Sequence, residues 1–563
     1  MRERTIALLA LAGILAFGAA WAQDTAALVQ AIQGEDASAR MAAVAELEEM
    51  GAPAIGPLFG LIGGDDGVAD RLARRAAQAI TQQAAGAGDE AQRAPVAAAL
   101  IAQTTSDRCL GARHWALRML SFVGGDGDVP ALARLLQDDD VREMARYALV
   151  RIPGEASLAA LSGAASVETD PAFKAALITS LGSRGDPAGL PVVREALKDR
   201  TRPVRAAAID ALARIPDPAS EQALREALSG GRAEERQQAC SAYLRLAETL
   251  LSAGHTEVAE QMYQRMYSDA PTEPARYAGL VGLARSQGSR AMPTLLAALD
   301  SHDAKIRATA RTALVDTDGL TRAIGEVVVR PPSREVRLML IGVLTARGDP
   351  AAIPALLQVA GIEDEETQIA AFEALGKLRR SAAATTLLLA LDRSEQGPVR
   401  DAAVAALSKI PGSDTTQAIA RMLATAPSPE LRIALAQVLG RRPHPSARTA
   451  LLAATTDADE AVQAAALEAL GQCGDPAATP TLLAMLRMAE GDVRNAAESA
   501  LEKMPAAESR EAMVAALPGA PDDMRATLLR LLGRDPDGSL ASTFTRAARD
   551  DDEAVAVAAI EAL

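Results

Sequence analysis

The sequence predicts an all-α protein: a right-handed α-solenoid, or α/α superhelix, of stacked helical hairpins with a period of about 31 residues. Three observations carry that expectation. First, one phrase keeps returning: DDVREMARYALVRIP from Asp139, TRPVRAAAIDALARIP from Thr201, GPVRDAAVAALSKIP from Gly397 and GDVRNAAESALEKMP from Gly491. Aligned on the residue after the β-branched or apolar position, Arg400, Arg432, Gln463, Arg494, Arg525 and Ala556 follow one another at 31 or 32 residues. Arg142, Lys174 and Arg205 keep that spacing upstream, and Arg307 leads to Arg337 after 30. Second, aromatics make up only 2% of the chain while alanine and leucine dominate. Small side chains let helices approach closely, whereas sheets favour β-branched and aromatic residues. Third, at 563 residues the chain is too long for one hydrophobic core.

Residues 1–22 stand apart. Arg2 and Arg4 form a basic start, Ile6 to Ala20 is an apolar or small run, and Ala20-Trp21-Ala22 is a small-residue cleavage site. This pattern predicts a secretory signal peptide cut before Gln23. The run is shorter than the ~20 residues a spanning helix needs. A periplasmic or secreted protein is therefore expected, with no membrane insertion after cleavage. The net charge of −15 excludes nucleic acid as an expected partner, because phosphates require a basic footprint. Cys109, Cys240 and Cys473 lie far apart and read as small buried side chains rather than a disulfide framework.

From residue 23 to 239 and again from 274 to 563, hairpins explain the pattern. In GPVRDAAVAALSKI, Val399, Ala402, Ala403, Ala406, Leu407 and Ile410 recur at three- and four-residue steps and form one apolar face. Pro411-Gly412 breaks that helix, a second follows, and Pro427 closes it. Elsewhere the break is Gly185-Asp186-Pro187, Gly348-Asp349-Pro350 or Gly474-Asp475-Pro476. Glycine suits a left-handed cap, aspartate caps the next helix, and proline fits its first turn. A lone hairpin cannot bury its face, so neighbours must stack.

A proline-bearing first helix (IPALLQVA from Ile353), an acidic turn, and then V-R-x-x-A-x-x-A-L-G resemble HEAT repeats, in the short bacterial version also found in phycobilisome lyases. The resemblance implies a structural ladder in which Arg142, Arg205, Arg307, Arg337, Arg400, Arg432, Arg494 and Arg525 meet acids of the inter-helix turns, such as Asp199 and Asp303. Gln463 and Ala556 would interrupt it.

Residues 240–273 depart from this wording and resemble a tetratricopeptide repeat. Tyr243 takes the tryptophan slot, Leu246-Ala247 the Leu-Gly pair, Gly254 the turn, Ala259 the small contact, Tyr263 the aromatic and Pro271 the closing proline. Leu250 and Met266 replace the usual tyrosine and alanine. Tyr243 and Tyr263 are expected in the core; Tyr267 and Tyr277 fit either core or surface. The resemblance implies that the first helix lines a groove and presents Ser241, Leu244, Glu248 and Leu251 to a partner, with Tyr267 and Tyr277 as anchors.

No motif for chemistry appears. The four histidines are scattered, and neither C-x-x-C, H-E-x-x-H, G-x-S-x-G nor a Walker loop occurs. The Asp-x-Asp-Gly turns at Asp316/Asp318/Gly319 and Asp535/Asp537/Gly538 lack the closing glutamate of a calcium loop. No catalytic residue, metal or cofactor is expected. The sequence thus reads as an exported, non-enzymatic scaffold for a protein or peptide partner, held on a curved inner face. The alternative is a lyase- or chaperone-like accessory protein, or the accessory part of a larger envelope assembly. In DDDEAVAVAAIEAL, Val555, Ala558, Ala559 and Ile560 are expected to be left partly exposed, as a face for self-association or another partner.

Overall fold

A computed structural model describes residues 25–63, 67–230, 232–393, 397–534 and 538–563. The signal-peptide reading and the turn residues Asp535 and Asp537 lie outside the described residues. All regular structure described is helical, and the chain divides into two compact units, one running to Ser286 and one from Gln287 to Leu563.

In the first unit, hairpins follow the predicted order: Val129–Leu135 with Arg142–Arg151, Glu155–Val167 with Pro171–Arg184, Leu190–Ala196 with Arg202–Leu212. Each second helix packs on its own first helix and on the second helices of adjacent hairpins. The buried stripes are those the periodicity requires, for example Phe173, Leu177, Ile178 and Leu181 along one helix and Val204, Ala208, Ile209 and Leu212 along the next. Each fully buried Leu or Ile contributes roughly 1.5–3 kcal/mol, so a hairpin's stability resides mainly in its neighbours.

The unit also holds the irregular segment. Its first helix, Ala233–Ser252, starts before Cys240 and is long; Thr256–Asp269 and Glu273–Gln287 follow. Ala233–Ser252 packs on Ala219–Ser229 as the second helix of one hairpin and on Thr256–Asp269 as the first helix of the next. Both repeat readings therefore share this helix. Tyr243 and Tyr263 are buried, as expected.

The second unit repeats the plan from Met292–Leu299 with Ala304–Asp316 to Ala541–Ala547 with Glu553–Ala562. The helix predicted from Pro398 runs Pro398–Lys409 and buries Ala403, Ala406, Leu407 and Ile410, together with Val404. The Gly-Asp-Pro breaks behave as the residue types dictate. Gly185, Gly348 and Gly474 have φ of 66°, 66° and 62°. Asp186, Asp349 and Asp475 accept from the backbone N–H two residues on, and each proline opens a short 3-10 turn leading into the next helix.

The glycine of the Leu-Gly phrase has a packing reason. A Cβ on Gly182 would lie 2.5 Å from Ala211 Cα; on Gly376, 2.8 Å from Ala406 Cα; on Gly440, 2.8 Å from Ala469 Cα; on Gly471, 2.6 Å from Ala500 Cα. Successive second helices thus touch backbone to backbone, glycine on one and alanine on the next.

One expectation fails at the last helix. Val555, Ala558 and Ala559 are buried, at 1%, 2% and 0% exposure. They lie on the helical stripe facing Asp522–Leu532, where Gly533 meets Ala562. Ile560 is exposed as expected, and Val557 and Leu563 are exposed with it.

Candidate protein-binding surface

The arginine column first resolves into two jobs. Its members reach back to a carbonyl six residues earlier in the preceding turn: Arg205 Nη1 to Asp199 O at 2.8 Å, Arg307 Nη1 to Ser301 O at 2.7 Å, Arg432 Nη1 to Ala426 O at 3.0 Å. They also reach forward to an acid of the next hairpin: Arg142 to Asp170 at 2.6 Å, Arg205 to Glu235 at 2.5 Å, Arg494 to Asp523 at 2.5 Å, Arg525 to Asp550 at 2.5 Å. Arg432 meets Asp457 at 2.9 Å. Arg337 donates to Val328 O at 3.3 Å, and Arg400 holds the same place on its helix.

Of the two acids named from sequence, Asp199 joins the ladder through Lys174 of the same column and Asp303 does not. Asp199 binds Lys174 Nζ at 2.9 Å, while Asp303 caps its helix through Lys305 N and Ile306 N. Gln463 does not interrupt the ladder locally, since its Nε2 reaches Asp457 O at 2.6 Å, the same six-residue step.

The ladder fixes the turns electrostatically. The Thr201 backbone N–H and then the Lys174 ammonium hold the Asp199 carboxyl down at about 2. The Arg205 guanidinium lowers Glu235, and the Asp552 N–H followed by Arg525 lowers Asp550.

Sequence reasoning missed a second row at the far end of these helices. Arg184 donates to Ile152 O at 2.6 Å and Gly154 O at 2.9 Å. Arg347 reaches Leu314, Val315 and Thr317 carbonyls at 2.6, 2.8 and 2.9 Å. Arg442, 7% exposed, bonds the Leu407, Ile410 and Gly412 carbonyls and Thr416 Oγ1. Each guanidinium thus gathers carbonyls at and just past the end of the preceding second helix, where the helix leaves acceptors over and carries the negative end of its dipole. The signal was in plain view, because Arg184 and Arg347 immediately precede Gly-Asp-Pro. Cys473 holds the corresponding place and points its Sγ at Leu439 O, 3.4 Å away; burial, with Asp475 beside it, pushes its thiol up to about 11. Cys240 is buried as expected, whereas Cys109 is exposed at the start of its helix, against expectation, with its Sγ 3.1 Å from Ile62 O.

The partner-binding residues proposed from sequence fall on one face of Ala233–Ser252. Ser241 and Glu248 are exposed; Leu244 and Leu251 are half-buried and pack on the core. Glu248 meets Arg285 of Glu273–Gln287 at 3.2 Å. Tyr267 is half-buried, packed on the core with the Arg276 guanidinium 5.5 Å above its ring. Tyr277, also half-buried, donates from its hydroxyl to Glu273 at 3.1 Å. Tyr243 donates to Glu221 at 2.7 Å, and burial raises its pKa; burial likewise pushes Tyr263 up to about 12. The ring of Tyr263 occupies space that Gly282 leaves, since a Cβ there would lie 2.1 Å from its Cδ1.

Close by, an open cleft of about 730 Å³ separates Leu190–Ala196 from Ala219–Ser229. Leu190, Pro191, Ile209 and Ala227 give it apolar lining, and Arg194, Lys198, Glu226 and the Arg205–Glu235 pair give it both charges. That volume lies within the ~300–1,000 Å³ of typical ligand pockets. Among the described residues no His, Cys, Asp or Glu cluster could hold a metal ion, and no helix is long and apolar enough to cross a membrane.

The model of HEAT repeats matches residues 158–245, 321–408 and 416–502. This is a HEAT-repeat protein, and its fold is an all-α solenoid. The first match runs through Arg245 and so takes in the opening of the tetratricopeptide-like segment. A comparison with curated proteins finds no match. Among solved structures, the HEAT-repeat chain is similar to one of Kap95p binding RanGDP, at 14% identity and TM-score 0.36, covering 96% of this chain and 88% of that one. It is similar also to importin beta, at 14% identity and TM-score 0.34, covering 96% and 87%. A third is Kap121p bound to the extreme C-terminus of the phosphatase Cdc14p, at 12% identity and TM-score 0.33, covering 95% and 82%.

Proposed function

We propose that this HEAT-repeat protein is an exported, non-enzymatic scaffold that holds a protein or peptide partner. The observation that carries the reading is the open cleft between Leu190–Ala196 and Ala219–Ser229, which stands beside the long helix bearing Ser241, Leu244, Glu248 and Leu251. The repeated charges nearby bond turns and neighbouring hairpins. What remains outward is a varied surface of mixed polarity, suited to contact rather than to a converging set of reactive groups. Export rests on the basic start and small-residue cleavage site of residues 1–22.

The test uses the protein produced with its own leader, recovered from the cell envelope and analysed by mass spectrometry with amino-terminal sequencing. The expected amino terminus is Gln23, with a reproducible partner. Ala227→Trp, which fills the cleft, and the Tyr267→Ala/Tyr277→Ala pair should each weaken that partner by more than ~1 kcal/mol while melting is retained. Retention of Met1 on cytoplasmic protein contradicts export. A partner indifferent to both changes contradicts the site.

A further inference from the structure

A second surface lies away from the cleft, on the outward sides of Leu110–Val123 and Arg142–Arg151, the second helices of consecutive hairpins. Aromatics are scarce in this chain, yet three meet here. Phe122 and Tyr147 are 42% and 40% exposed, and Trp115 is half-buried. Arginines lie against all of them. The Arg151 guanidinium lies 5.4 Å from the Phe122 ring centre and 5.7 Å from that of Tyr147. Arg74 and Arg118 lie 5.3 and 5.6 Å from that of Trp115.

The charges around these arginines are unequal. Arg74 is paired with Asp70 at 2.6 Å, and Glu143, the acid on the same helix as Tyr147, is paired with Arg146 at 2.8 Å. Arg118 and Arg151 are exposed, and among the described residues neither has an ion-pair partner. Two guanidiniums on aromatic rings are thus left without a carboxylate, in a chain of net charge −15. A guanidinium resting on a ring has its plane supported and one face shielded from water, while its in-plane N–H groups still point outward. That is the geometry for receiving a carboxylate on two parallel hydrogen bonds. The Trp115 Nε1 is buried without a hydrogen-bond partner, so the ring is held by packing and by its two arginines.

We propose that Arg118 and Arg151, set on Trp115, Phe122 and Tyr147, form a docking site for an acidic peptide segment whose carboxylates take the two guanidinium forks and whose apolar side chains lie on the exposed rings. The proposal rests on the protein-binding reading above and gives it a second site and a chemistry. Charge complementarity selects the occupant. Two guanidinium forks match the discrete carboxylates of a short peptide, and they do not make the extended basic track that the phosphate backbone of a nucleic acid needs.

The test measures fluorescence anisotropy of three labelled probes with the purified protein: a peptide alternating Glu and Leu, its counterpart alternating Lys and Leu, and an oligouridylate. Saturable binding of the Glu–Leu peptide alone is expected. Arg118→Glu/Arg151→Glu should weaken it by about tenfold or more, with helicity and melting unchanged, since both side chains are exposed. Arg151→Lys keeps the charge without the planar fork and should fall between. In protein starting at Gln23, whose tryptophan is Trp115, the emission should shift on binding. No binding of the Glu–Leu peptide, equal binding of the Lys–Leu peptide, oligouridylate bound through the same two arginines, or a double variant that binds as well as the parent would each overturn the proposal. A partner captured from the envelope and lost on Ala227→Trp, yet indifferent to the arginine changes, overturns this site and leaves the scaffold reading standing.

Discussion

The regular stretch from Pro429–Gly440 to Gly491–Lys503 and the irregular one from Ala233–Ser252 to Glu273–Gln287 solve the same packing problem in opposite ways. In the regular stretch a glycine is spent so that two backbones can touch, Gly440 on Ala469 and Gly471 on Ala500. In the irregular stretch Gly282 is spent so that a large ring, Tyr263, can lie across the helix, while Gly279 admits the backbone at Met266 and Tyr267. The first contact is small on small, and it recurs with the repeat. The second fits a single large side chain and occurs where the phrase lapses. A solenoid built only of the first kind would present monotonous faces; the second accompanies a longer hairpin, whose first helix also lines the cleft through Glu235.

That contrast can be broken at its strongest point first. Gly279→Ala places a Cβ 2.6 Å from the Tyr267 backbone nitrogen and 2.9 Å from Tyr263 O, and no side chain can move aside to relieve it. We expect a loss of about 3 kcal/mol, read by chemical denaturation. Arg442→Ala comes next. It strips several carbonyls of a buried guanidinium and should cost about 2–3 kcal/mol, whereas Cys473→Arg, supplying the missing member of that row, should raise stability. Arg432→Ala removes one turn staple and one partly exposed ion pair, and should cost about 1–3 kcal/mol, at the lower end because water screens the pair.

The smallest effect is a pH dependence. Asp199 titrates near 2 in the folded chain, below its ordinary value of 3.8. Its stabilisation is therefore complete above about pH 4 and is lost as the pH falls through 2. Asp199→Asn should flatten the stability curve in that window alone, as measured by denaturant melts at stepped pH.

Much of this architecture was legible because periodicity is a one-dimensional signal. The column from Arg400 to Arg525, the apolar face ending at Ile410 and the Gly-Asp-Pro caps each follow from residue type and spacing. What escaped is what spacing does not encode. The row of Arg184, Arg347 and Arg442 acts on carbonyls some 30 to 35 residues earlier, so its meaning appears only when helices lie side by side. Val555, Ala558 and Ala559 are covered by the neighbouring helix Asp522–Leu532, a contact that the spacing within their own helix does not encode. The Arg118–Trp115 and Arg151–Tyr147 contacts join residues that carry no motif at all.

The central claim is that hairpins are registered by glycine contacts of two kinds, and paired double-mutant cycles test it most directly. Gly471→Ala is expected to destabilise through the Ala500 backbone, whose Cα lies 2.6 Å from the added Cβ, so Ala500→Gly, which removes only a methyl 3.0 Å away, recovers nothing. Gly282→Ala is expected to destabilise through the Tyr263 ring, and Tyr263→Leu to recover part of that loss, whereas Ala500→Gly gives it nothing. Rescue of Gly471→Ala by Ala500→Gly, or no rescue of Gly282→Ala by Tyr263→Leu, would contradict the account.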